Sequence, residues 1–245
     1  MKKVVLSLLW LIFVAANVHG QSFMYFGLRG YPQYSSILNK QDSDAGSELD
    51  YDLTIGWGAG GAIGINFTNS FGIETGIYYA NQGQKYKGAF KVGNMDTTFN
   101  SHKSFSTLKI PLFFKLNTNP DGFPMFTLYA GPQYSMITNA NYKVNGAETG
   151  VSIPNQPNVS FKDLYKKGTI EIAGGLGLDY WFAENMYIST HLRGEYSLED
   201  IEDEQFKPAN RSVASNLTVG FVVGLGFVLT FDNKPFGRYG LRFGS

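Results

Sequence analysis

The feature that most constrains this chain is alternation. From Ile55 to Phe67 the sequence reads Ile-Gly-Trp-Gly-Ala-Gly-Gly-Ala-Ile-Gly-Ile-Asn-Phe, which puts Ile55, Trp57, Ala59, Ile63, Ile65 and Phe67 on one face and mostly glycine on the other. A period of two is the signature of a β-strand with unlike faces. Similar stretches run from Met24 to Tyr34, Phe71 to Gln82, Ser104 to Leu116, Met125 to Thr138, Thr169 to Phe182, Met186 to Leu198 and Val213 to Phe231. Eight strands are predicted, and no amphipathic helix. The connections hold 20, 3, 21, 8, 30, 3 and 14 residues, so long and short alternate throughout. A soluble sandwich or propeller has no reason to gather every long connection at one end. Membrane barrels do, with short turns on one side and long loops on the other.

The placement of charge separates a membrane barrel from a cup with an apolar interior. Within the predicted strands Arg29, Lys109, Lys115 and Arg193, with Glu74, Glu171, Asp179 and Glu195, all fall opposite the apolar stripe. The stripe itself includes Ile73, Ile77 and Tyr79; Leu108, Ile110, Leu112 and Phe114; Ile170, Ile172, Leu176 and Leu178; and Leu217, Val219, Phe221, Val223, Leu225 and Phe227. A lipid-facing Arg or Lys at the bilayer midplane costs about 2–4 kcal/mol, so this partition is what a membrane demands. The expected fold is all-β: an eight-stranded antiparallel up-and-down transmembrane β-barrel spanning residues 21–231.

Composition agrees. The 245 residues are 43% hydrophobic but only 16% charged, and they hold 29 glycines and no cysteine. That excludes a disulfide scaffold, thiolate metal sites and cysteine catalysis. Zero formal charge gives no reason to expect nucleic acid. Lys2 and Lys3 precede an apolar run from Val4 to Ala16, and Val18-His19-Gly20 offers a cleavage site, so residues 1–20 read as a secretory signal peptide. Its removal leaves 18 basic and 20 acidic residues. Residues 232–245 form a periplasmic tail in this reading, with Lys234, Arg238 and Arg242 placed to lie along the leaflet. Gly226, Leu229 and Phe231 have the spacing of the C-terminal signal read by the barrel-insertion machinery.

Aromatic residues gather near strand ends. Phe67, Phe71, Phe123, Phe126, Tyr180, Trp181, Phe182 and Phe231 lie near the short turns, and Trp57, Tyr79 and Tyr134 toward the long loops. They read as interface girdles. Inner-face glycines let a small barrel curve and leave space for larger side chains. Pro111 and Pro132, inside neighbouring strands, are expected to mark bulges because proline cannot donate to the ladder.

Four segments carry a resemblance to a known family: Leu108-Lys-Ile-Pro-Leu-Phe-Phe-Lys115, Leu128-Tyr-Ala-Gly-Pro-Gln-Tyr-Ser135, Gly174-Gly-Leu-Gly-Leu-Asp-Tyr180 and Gly220-Phe-Val-Val-Gly-Leu-Gly226. The chain resembles the PorT-like outer-membrane β-barrels over roughly residues 22–231. The resemblance implies the fold and a Gram-negative outer-membrane location. One named member is a type IX secretion accessory, but a shared fold does not transfer that role.

Eight strands leave a lumen just wide enough for side chains. The eight inward charges, four of each sign, are expected to pair as a buried network that fills it. Ionisable groups within a membrane segment are also the place to look for a proton or small-ion path. His191 shares this face with Ser189, Arg193 and Glu195, but residues two apart on a strand are already about 6.6 Å from one another, so no nucleophile and base are fixed. His102 falls in a loop beside Lys103. No cofactor motif is present. The long loops divide by charge. The first and fourth carry Asp42, Asp44, Glu48, Asp50, Asp52, Glu199, Asp200, Glu202, Asp203 and Glu204, an acidic patch suited to a divalent cation such as calcium or a basic partner. The second carries Lys85, Lys87, Lys91 and Lys103, and the third Lys143, Lys162, Lys166 and Lys167, a basic half suited to lipopolysaccharide phosphates. Against both stands the simpler expectation that the loops pair with one another or remain solvated. The expected protein is a monomer with extracellular loops and periplasmic termini. Its role is non-enzymatic, structural or binding. An accessory role in secretion or envelope assembly, with envelope or secretion proteins as partners, is the second reading, and a lipid hydrolase is the third.

Overall fold

The computed structural model describes residues 23–44, 50–68, 70–92, 95–118, 124–145, 147–148, 160–183, 185–208 and 210–230. Residues 1–20, read from sequence as a signal peptide, residues 232–245, read as a tail, and Glu48, Phe123 and Phe231 lie outside the described residues. Among the described residues ten strands form in chain order: β1 (Phe23–Leu38), β2 (Asp50–Asp52), β3 (Ile55–Asn66), β4 (Phe71–Val92), β5 (Met95–Asn117), β6 (Met125–Val144), β7 (Ala147–Glu148), β8 (Gly168–Ala183), β9 (Met186–Ser197) and β10 (Ser215–Thr230). Eight of them close a ring. Each of β1, β3, β4, β5, β6, β8, β9 and β10 pairs antiparallel with the next, and β10 pairs back onto β1. The short β2 and β7 add to β4 and β6 at the end away from the tight turns. This is the eight-stranded antiparallel up-and-down barrel that alternation predicts.

The two faces follow the expected sorting. Along β9, Tyr187, Ser189, His191, Arg193, Glu195 and Ser197 are buried while Ile188, Leu192 and Tyr196 are exposed. On the outer face Leu28 and Ile77 are 69% and 60% exposed. So large an apolar surface in water would drive association; in hydrocarbon it costs nothing and the charges inside are shielded. Trp57 packs on Tyr79, and both face outward with Tyr134. Inside, glycines meet tyrosines in register: Tyr31 opposes Gly58, and Tyr187 opposes Gly226. A Cβ on Gly58 would stand 2.2 Å from the Tyr31 ring, and one on Gly226 2.1 Å from the Tyr187 ring. Only glycine admits the ring that crosses it.

Three sequence expectations are corrected. First, β4, β5 and β6 run well past their predicted ends, so residues 83–92 pair with residues 95–104 where a 21-residue loop was expected. The membrane pattern stops at Asn81 because alternation of apolar and polar residues is required only where one face meets lipid; the backbone ladder needs no such pattern. Lysines 85, 87, 91, 103 and 143 therefore lie on strands. Second, Pro111 and Pro132 mark no bulge. β5 pairs Pro111 with Gln133 and then Phe114 with Ala130, three residues on in both strands, and Pro132 pairs with Ile172 in unbroken register. A missing donor opens the ladder without inserting a residue, and the register shift lies at Ser106/Thr107 instead. Third, Trp181 is 5% exposed and points inward, so it belongs to no girdle. It is in phase with the inward Asp179 two residues before it.

The lipid-facing assignment has a direct test. Leu176→Arg, midway along the outer face of its strand, should lower unfolding stability in lipid by about 2–4 kcal/mol. Urea titration of the refolded barrel, read by tryptophan fluorescence, measures it, with Leu176→Met as the near-neutral control.

Candidate functional site

The lumen is filled in layers. Nearest the tight turns, Phe23, Tyr25, Trp181, Tyr187 and Val228 pack as an apolar floor. Above it Glu74 receives the Arg29 guanidinium on both oxygens, the Tyr25 hydroxyl at 2.9 Å and Lys115 Nζ at 3.5 Å. At the same level Asp179 accepts from Thr127 Oγ1 at 2.8 Å and stands 2.9 Å from His191 Nε2. The middle layer is aromatic: Tyr31 with Tyr78, and Phe113 with Tyr129. The Arg193 guanidinium sits among them, 5.5 Å from the Tyr31 ring centre, 5.0 Å from Tyr78 and 5.2 Å from Phe113. Its charge is thus shared with three aromatic rings.

A second polar layer lies above the rings. Lys109 Nζ bonds Glu195 Oε2, which also receives Thr218 Oγ1 at 2.9 Å. Arg193 Nε stands 2.9 Å from Glu195 Oε1, a charge contact whose angle makes no hydrogen bond. Gln133 joins the acids to the arginine: its Nε2 donates to Glu171 at 2.6 Å and its Oε1 accepts from Arg193. All eight charges singled out from the sequence, Arg29, Glu74, Lys109, Lys115, Glu171, Asp179, Arg193 and Glu195, are buried here. They divide into two clusters with the aromatic layer between. Alternation gives no account of Gln133, Tyr25, Tyr31 or Tyr78, because cross-strand proximity depends on register.

At the far end the described parts of the loops pack on the strands. Inward Ile37, Phe105, Ile137 and Ala140 pack against Tyr165 from the third connection and Ile201 and Ala214 from the fourth, with Phe161 and Leu164 of a short 3-10 helix (Phe161–Leu164) beside them. Tyr165 bridges to Glu202, tying the two connections together. Arg211 fastens the first connection to the fourth. Its Nε donates to Glu202 at 2.7 Å and its terminal nitrogens to both oxygens of Asp42, on helix α1 (Lys40–Asp44), at 3.0 and 3.2 Å. Asp42 also accepts from the Tyr86 hydroxyl at 3.1 Å, and Lys103 lies over the Tyr86 ring.

The loop acids are therefore dispersed. Asp42 and Glu202 belong to Arg211, Asp200 to Lys207, and Asp52 to Lys87. Asp203 accepts from the Gln205 backbone and Glu199 from that of Ile170, while Asp44, Asp50 and Glu204 face outward. Among the described residues no three acids or histidines gather as a metal site. Of the acids in the expected patch, Asp42, Glu202 and Asp200 are thus paired with Arg211 and Lys207, and Glu48 lies outside the described residues. Gly226 is set against Tyr187, Leu229 faces outward, and Phe231 lies beyond the described residues.

Two outcomes follow. Glu74→Ala strands Arg29 and Lys115 without their shared acid, so it should cost about 3–5 kcal/mol in urea unfolding, whereas Asp44→Ala should cost almost nothing. The crown should loosen in acid. Partial burial opposes ionisation of Asp200, but Lys207 and the backbone N–H groups of Ala214 and Glu202 prevail and hold its carboxyl below the ordinary value. A depressed carboxyl stabilises the fold above the unfolded value of about 3.9, and that contribution disappears as pH falls through the lower folded value. Hydrogen exchange in residues 199–214 should therefore rise below about pH 4 while the strand amides stay protected.

With this geometry in place, comparison with known proteins places the chain. No curated protein matches it. Among solved structures it is similar to Neisserial surface protein A, at 10% identity and a TM-score of 0.43 over 82% of this chain and 96% of that one. It is also similar to the N-terminal β-barrel domain of OprF from Pseudomonas aeruginosa (14%, 0.39, 83% and 97%) and to the outer membrane protein OprG from the same organism (14%, 0.39, 86% and 98%). The sequence profile described as "Outer membrane protein beta-barrel domain" matches residues 21–203, and the chain belongs to this family of outer-membrane proteins.

Proposed function

We propose that the protein is a non-enzymatic outer-membrane barrel, closed to solutes, that acts as a binding or structural protein through the surface it holds beyond the membrane. The connections carrying Arg211 and Tyr165 face the cell exterior in this reading, and both termini face the periplasm. One observation carries it. The lumen is blocked three times, by the aromatic floor, by the Arg193 layer and by the plug around Tyr165 and Ile201. A scaffold that spends its interior on packing and ion pairs has its outer surface left for interaction.

The hydrolase reading loses support. His191, Ser189 and Asp179 share the lumen at 1% exposure each, beneath the ring layer and above the floor, where no lipid reaches them. The PorT-like segments form barrel wall, so their resemblance speaks for the scaffold and not for secretion.

In planar bilayers the purified protein should insert without steady conductance steps. Regular ion-conducting steps whose size changes with an Arg193 substitution would overturn the closed-lumen reading. Purified protein should also leave phospholipid and lipopolysaccharide ester bonds intact, and turnover lost in His191→Ala would restore the enzyme reading.

A further inference from the structure

The seam that closes the barrel carries two residues that neither the lumen nor the lipid-facing stripe accounts for. Ser36 of β1 is in phase with the outward Tyr34 and Leu38, and Ser215 of β10 with the outward Val219, yet the two serines are only 4% and 6% exposed. They occupy neighbouring ladder steps, Ser36 opposite Leu217 and Ser215 opposite Leu38. Two small side chains among larger ones leave a groove of about 560 Å³ in the outer wall, a size common among ligand sites. Tyr34 and Tyr196 line it with Leu38 and Val213, and Tyr51 and Lys40 complete the rim. That rim is held in place. The Tyr51 hydroxyl donates to the Asn39 carbonyl at 3.3 Å, Asn39 Nδ2 donates to the Ser212 carbonyl at 2.9 Å, and Arg211 fastens α1 through Asp42. The Ser36 and Ser215 hydroxyls, by contrast, have no hydrogen-bond partner among the described residues.

Chemistry and height narrow the occupant. An acyl chain would leave both buried hydroxyls unpaired, which hydrocarbon does not offset. An anion finds little to hold it, because Lys40 is the one charged residue lining the groove and Asp44 lies one helical turn from it. A sugar ring answers both halves of the lining: its hydroxyls donate to and accept from serine, and its C–H faces lie on tyrosine rings. The groove is also continuous with the surface that meets lipid. Tyr34 stands opposite Val219 and Tyr196 opposite Leu217, so the two outward tyrosines flank β10 about 10 Å apart, two strand spacings. Ser36 is two residues beyond Tyr34, about 7 Å along the strand and about 5 Å in height at a tilt of 35–45°. Headgroups fill the first 5–8 Å or so past the hydrocarbon, so the groove opens among them. We propose that this groove binds the saccharide headgroup of an outer-leaflet glycolipid, with sugar rings against Tyr34 and Tyr196 and sugar hydroxyls on Ser36 and Ser215. The site rests on the reading of the protein as an outer-membrane binding protein and names its ligand class.

The test titrates the refolded full chain in neutral detergent with purified lipopolysaccharide, read by calorimetry. Saturable binding is expected. Ser36→Leu with Ser215→Leu fills the groove and should abolish it, and Tyr196→Ala should weaken it about tenfold through loss of one aromatic contact. Lys40→Gln should change it by no more than about twofold, as for an exposed charge. Phosphatidylglycerol should fail to compete, and oligosaccharide released from the same lipopolysaccharide should compete only weakly, because it lacks the chains that hold it beside the barrel wall. Absence of saturable binding, unchanged affinity in the double serine variant, equal competition by phosphatidylglycerol, or a loss in Lys40→Gln as large as in Tyr196→Ala each overturns the site. Free oligosaccharide binding as tightly as the whole lipid overturns the glycolipid as its source. Heat-dependent gel migration shows that the variants are folded. Conductance in bilayers fails the closed-lumen reading alone and leaves this binding result standing.

Discussion

Everything in this molecule depends on the pairing of β1 with β10. Inside hydrocarbon no water is available to an unpaired backbone N–H or C=O, so a sheet with a free edge has no place there. Fourteen residue pairs, from Phe23 opposite Thr230 to Leu38 opposite Ser215, close that edge. Closure has a geometric consequence: once the ring is shut at eight strands, the interior is narrow and every inward side chain must fit against those of strands far away in sequence. The tyrosine rings laid across Gly58 and Gly226 are how the available space is divided.

Closure also forces the interior charges to satisfy one another. An isolated buried ion costs several kcal/mol, and the lumen offers no bulk solvent to share it. Arg29 and Lys115 meet on Glu74, Lys109 meets Glu195, and Arg193 is spread over three rings and Gln133. Such partnerships add rigidity to a wall one strand thick.

Beyond the membrane the constraint relaxes and the architecture changes. Described parts of the first, third and fourth connections pack around Tyr165, Ile201 and Arg211, while β4, β5 and β6 continue as a paired sheet. The seal uses acids against Arg211 and Lys207, and along the flank Lys85 stands between Asp52 and His102 in the ladder.

Alternation alone determined the barrel, the strand count, the lipid-facing stripe and the inward position of the eight charges, because a period of two assigns each residue to a face whatever its neighbours are. The same rule reaches Trp181, whose inward turn follows from Asp179. It does not reach the pairing of Arg29 with Glu74, 45 positions away, or the role of Gln133, because side-chain contact across strands depends on register and register depends on ring closure. Nor does it reach the pairing of residues 83–92 with residues 95–104 or the clamps on Asp42, Glu202 and Asp200. There the backbone ladder and the approach of loops in space decide the outcome, and neither leaves a periodic trace. Tertiary structure decided which charges are joined; the sequence by itself had already decided which side of the wall they stand on, since that is a property of the strand and not of its neighbours.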